Sequence, residues 1–114
     1  MNTLIALDKS GSYRVYLTIT TEMVAKAIEI HECTPLAGAA LGRTMTGAGI
    51  MGLMLKEDDY KLTLQIKGDG PAGGITVTAD SSANVKGYAN VPDVIIPAKP
   101  NGKLDVSGAI GPGA

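Results

Sequence analysis

The sequence has no tryptophan and no phenylalanine; its only aromatics are four tyrosines. Its core must therefore be built from aliphatic side chains and methionine. It has one cysteine, Cys33, which excludes an internal disulfide and fits a reducing compartment. It has one histidine, His31, so the pair in "IHEC" lacks the partners that a four-ligand zinc site needs. Neither sign of charge is in excess, the net being -1. A chain without a basic surplus has no global electrostatic case for nucleic acid or anionic lipid. The N-terminal "MNTLIALDKSGS" lacks the basic start and long apolar run of a signal peptide, so a cytoplasmic location is expected. Nowhere does a Ser/His/Asp or Cys/His set occur at a persuasive spacing, and Asp58 and Asp59 read as a solvated loop. Local chemistry gives no reason to expect an enzyme.

What is abundant is hydrophobicity: 45% of the 114 residues are hydrophobic and 18% charged, as in one soluble globular domain. "NTLIALD" reads as a short strand and "YRVYLTIT" as a second, with Tyr13, Val15, Leu17 and Ile19 on one face. In "TTEMVAKAIEIHE" the period changes to that of an amphipathic helix. Thr20 or Thr21 can cap it, and Glu22 lies in the first turn. "KLTLQIK", "ITVTAD" and "VKGYANV" alternate cleanly and read as an antiparallel meander with one apolar face. "PDVIIPAKPNG" is a proline-punctuated crossing, and "KLDVSGAIGPGA" begins like a further strand.

Between these segments lies "TPLAGAALGRTMTGAGIMGLMLK". Thr34 is a fitting N-cap and Pro35 a fitting first-turn residue for a helix from Thr34 to Leu55. At 1.5 Å per residue it measures about 33 Å, enough to span a bilayer. Arg43 near its middle, at a cost in lipid of about 3 kcal/mol, argues against spanning, as do its five glycines and the soluble strands around it. A helix apolar all round that is not in a membrane belongs at the centre of a protein. The order β-β-α-α-β-β-β-loop-β then predicts an α+β fold, a three-layer β/α/β sandwich around Thr34 to Leu55. A membrane GxxxG face at Gly38 and Gly42 is the competing reading.

Arg43 within such a helix calls for a hydrogen-bonded or ionic partner, with Asp69, Asp80 and Asp105 as candidates. The expected role is a structural anchor, the alternative an anion site. "GDGPAGG", Gly68 to Gly74, lacks the Gly-Lys-Ser/Thr end of a P-loop and leads into a strand, so a hairpin connection is expected. Cys33 could instead be a reactive thiol at a helix start. Met51 and Met54 read as core, with adaptable binding contacts as the alternative.

The segments "ALGRTMTGAGIMGLMLK", "LTLQIKGDGPAGGITVTAD", "NVKGYANVP" and "KLDVSGAIG", in this order, resemble the N-terminal domain of the heat shock protein 33 family, and the likeness runs from "YRVYLTITTEMVAKAIEIH" onward. The resemblance implies a β/α/β domain with a buried helix, in a redox-regulated, ATP-independent cytoplasmic holdase that binds unfolding client proteins and dimerises when oxidised. It also implies a zinc ion held by four cysteines of a separate C-terminal domain, released when disulfides form. The family's Cys-x-Cys and Cys-x-x-Cys pairs are absent here, and Cys33 matches none of them, so no zinc site and no other cofactor is carried over. Residues 1–114 thus look like the substrate-binding and dimerisation domain, ending at "GAIGPGA" where the family continues. The pieces "ALGRT" and "LQIKGDGP" carry the resemblance most specifically, and Arg43, Gly42, Gly68, Asp69 and Gly70 within them are expected to be structural residues. The competing function is an anion-binding enzyme domain using Arg43 and the Gly68–Gly74 loop.

Overall fold

The computed structural model describes residues 1–113. In chain order these form β1 (Asn2–Leu7), β2 (Arg14–Ile19), α1 (Thr21–His31), α2 (Pro35–Leu53), β3 (Lys61–Ile66), β4 (Ile75–Asp80), β5 (Val85–Ala89) and α3 (Val106–Ile110). The fold is α+β with two antiparallel sheets, β1-β2 and β3-β4-β5.

The meander is assembled as its alternation dictates. Leu64 pairs with Val77, and Val77 with Gly87, so one face collects Leu62, Leu64, Ile66, Ile75, Val77 and Ala79. Helix α2 lies on that face. Leu41, Met45 and Ala48 pack with Ile75, Val77 and Ala79 in a core without a single aromatic ring. Thr34 caps the helix, its Oγ1 accepting the Ala37 N–H at 3.3 Å, and the same hydroxyl donates to the Val94 carbonyl at 2.7 Å. That second bond ties the helix start to the proline-punctuated crossing, whose Val94 is buried beside Leu36, Ala37, Ala72 and Ala109.

On its other side α2 meets α1. A Cβ on Gly42 would lie 2.6 Å from Val24 Cγ1, so the two helices touch at a distance that only glycine permits. The hairpin β1-β2 reaches α2 through a Thr20–Thr46 hydroxyl pair at 2.7 Å and through Met1 against Gly49. The long apolar stretch is accordingly a buried helix, and among the described residues no helix is long and apolar enough to cross a membrane.

Two expectations about the elements need correction. The segment after Leu104 is a helix, not a strand. Asp105 Oδ1 accepts the Gly108 N–H at 3.0 Å, a side-chain cap that starts a turn where alternation had suggested extension. The apolar face of β2 is not covered either: Val15, Leu17 and Ile19 are exposed, as is every residue of β1.

Candidate functional site

Arg43 is exposed, which corrects the expectation of a buried guanidinium. Its position on α2 falls at the rim, where the long side chain leaves the helix for solvent while Thr44 and Met45 turn inward. The three carboxylates considered as partners are engaged elsewhere. Asp80 accepts the Ser82 and Asn84 N–H groups at 2.9 and 3.0 Å, which with the Asn84 side chain holds its carboxyl below the usual range. Asp105 caps α3, and Asp69 accepts the Gly113 N–H at 3.0 Å. Arg43 instead lines an open hollow of about 800 Å³ with Lys99 and Lys103. Arg43→Ala is therefore expected to change stability by less than about 0.5 kcal/mol, as at an ordinary surface position, in a denaturant titration. A loss of several kcal/mol would restore the anchor role.

The glycine loop is the hairpin connection between β3 and β4, as expected, and it has a second use. Gly70 N–H donates to the Ile110 carbonyl and Ala72 N–H to the Ala109 carbonyl, both at 2.9 Å. A Cβ on Gly68 would fall on the Ile110 oxygen, and one on Gly70 on the Ala109 oxygen. "KGDGP" is thus a socket for α3 and the turn after it, closed by Asp69 on Gly113. The Gly70, Ala72 and Gly73 amides of the loop are committed to protein carbonyls. Sequence reasoning singled out these glycines without finding their partner, which lies about forty residues away.

Cys33 is half-buried, and burial pushes its thiol above the ordinary value, the opposite of activation. Among the described residues no three of the types His, Cys, Asp and Glu are grouped to hold a metal ion.

The arrangement that does stand out is apolar and exposed. Cross-strand pairing places Leu4 opposite Leu17 and Ala6 opposite Val15, with Ile19 on the same face. Leu4, Leu17 and Ile19 are 62%, 60% and 62% exposed, so this face of the hairpin lies open. Met51 and Met54, expected in the core, are exposed as well. The sequence had marked Val15, Leu17 and Ile19 as one face; nothing in it told what lay opposite.

The small core, the open apolar ribbon and the glycine loop that seats α3 are the features to set beside known proteins. The family model described as Hsp33 protein matches residues 2–114. The 33 kDa chaperonin of Ruminiclostridium cellulolyticum is 55% identical over 103 residues, covering 90% of this chain and 35% of that protein. That of Acetivibrio thermocellus is 55% identical over 108 residues, covering 95% and 36%. The crystal structure of the 33 kDa chaperonin (heat shock protein 33 homolog) from Thermotoga maritima superposes with a TM-score of 0.88 at 33% identity, over 94% of this chain and 37% of that one. The chain belongs to the Hsp33 family, a non-enzymatic one, and spans about a third of the length of these relatives.

Proposed function

We propose that this chain is the N-terminal, client-binding part of an ATP-independent holdase chaperone. The observation that carries the reading is the open apolar face of β1-β2. A globule normally hides such a surface, and unfolding proteins present the complementary one. The relatives' name, 33 kDa chaperonin, supports it. The same face, together with the outer edges of β3 and β5, which no strand pairs with among the described residues, supports homodimerisation as a second use. Redox control, zinc and regulatory disulfides are assigned to segments outside residues 1–114, because Cys33 has no partner cysteine. A cytoplasmic location is part of the same proposal.

The test is light scattering of a thermally unfolding reporter enzyme, with and without the chain and with no nucleotide. Suppression near stoichiometric ratio is expected, and Leu4→Asp with Leu17→Asp should weaken it several-fold while leaving the thermal transition of the core in place. Aggregation that proceeds at the same rate with the chain present would sink the proposal.

A further inference from the structure

A cleft of about 630 Å³ opens between α1 and β5. Its floor is apolar: Met23 and Ala27 of α1, Met45 of α2 and Val85 of β5. The ends of Ile30 and Tyr88, both exposed, extend this apolar wall toward solvent. Gly87 faces the floor with no side chain, and a Cβ there would meet Val77 and Met45, so the cleft keeps its depth. Two of the floor residues, Met23 and Met45, are methionines, the side chain best able to refit to different occupants.

Three further facts define the occupant. First, β4 pairs with one edge of β5, and among the described residues no strand pairs with the other. Second, the charged and titratable residues lining the cleft are Lys26, His31, Lys86 and Tyr88, and among the described residues no carboxylate joins them, although the chain has 11 Asp and Glu against 10 Lys and Arg. Third, the rim cations lie around an apolar floor, so one ligand must satisfy both. An extended segment does this by its own geometry. Its side chains alternate between two faces, one set apolar and one set acidic. Its backbone can complete the free edge of β5.

We propose that the cleft between α1 and β5 is a docking site for extended peptide segments in which apolar residues alternate with carboxylates. The methionine-lined floor takes the apolar set, and Lys26 and Lys86 take the acidic set. This inference rests on the client-binding reading for its setting and adds a preference to it: clients, or the parts of clients, that are acidic as well as apolar are held best.

The experiment uses two fluorescein-labelled decapeptides, one alternating valine and aspartate, the other valine and lysine, titrated with the chain by anisotropy at low and moderate salt. The aspartate peptide is expected to bind at least about tenfold more tightly, with the difference shrinking as salt rises. The double variant Lys26→Glu/Lys86→Glu should abolish or invert that preference. Lys99→Glu/Lys103→Glu, the same charge change away from the cleft, should leave the preference in place. Equal binding of the two peptides, no binding of either, or an equal effect of both double variants would overturn the proposal. Light scattering with the same variants separates the two readings. A chain that suppresses aggregation without discriminating the peptides keeps its holdase role and loses the cleft. A chain that discriminates the peptides but suppresses nothing keeps the cleft and loses the holdase role.

Discussion

Gly68→Ala should detach the last described segment of the chain from the body of the domain. The new Cβ would land on the carbonyl oxygen of Ile110, a backbone atom that cannot rotate away. Either the β3-β4 connection or α3 must move, and α3 is the weaker of the two. It has five residues and is held by the Gly70–Ile110 and Ala72–Ala109 bonds, by Asp69 on Gly113, and by burial of Ala109. Losing two backbone bonds at about 1 kcal/mol each, together with the packing of Ala109, places the cost at about 3 kcal/mol or more. Alanine's smaller chain entropy in the unfolded state returns less than about 1 kcal/mol. Limited proteolysis should then cut after Lys103 many times faster than in the parent chain, while amides of β4 stay protected. Gly47→Ala is the control. Gly47 lies inside α2 with nothing within 4 Å of a new Cβ, so the same substitution there should stabilise by up to about 1 kcal/mol. Matching proteolysis rates for Gly68→Ala and the parent would show that the socket does not hold α3.

Leu41→Ala should cost still more. Leu41 is 0% exposed and sits where α2 presses on the three-stranded sheet, among Met45, Ile75 and Val77. Buried Leu→Ala changes cost about 3–5 kcal/mol, through lost transfer energy and the cavity left behind. A domain of this size has about 5–15 kcal/mol of stability in all. The core has no large ring to slump into the gap, so the upper part of that range is expected, with a fall in Tm on the order of 15 °C. Thermal circular dichroism reads the result directly. Ile30→Ala, at a residue 64% exposed, should shift Tm by a few degrees at most. If the two variants melt alike, α2 is not the centre of the fold.

The legible parts of this protein are those where a local pattern meets a local cause. Alternation in 61–66 and 75–80 named the buried face residue by residue, and Thr34-Pro35 marked the start of α2. Each signal sits within a few residues of the structure it specifies. What could not be read depends on what lies opposite. Arg43 was placed inside because its neighbours are apolar, but a rim position on a central helix has the same neighbours in sequence and solvent in space. The alternation of β2 is that of a covered strand, and only the fold shows that its face is open. Asp105 illustrates the third case: a cap three residues before Gly108 outweighed a short apolar alternation and made a helix of an expected strand. Gly42 lies against Val24, Gly68 and Gly70 against the Ile110 and Ala109 carbonyls, and Asp69 accepts the Gly113 N–H, whereas Arg43 faces solvent.

The hairpin β1-β2 has one more consequence. Two strands without a third are marginal in water, and this pair is joined to the remainder by few side chains, among them Met1 and Thr20. Its folding equilibrium is therefore expected to be the least tied to that of the core among the described strands. Amide exchange in β1 and β2 should accordingly run faster than in β4, with α2 and the meander still protected. Adaptability at the surface and permanence in the interior thus sit in different stretches of the same short chain.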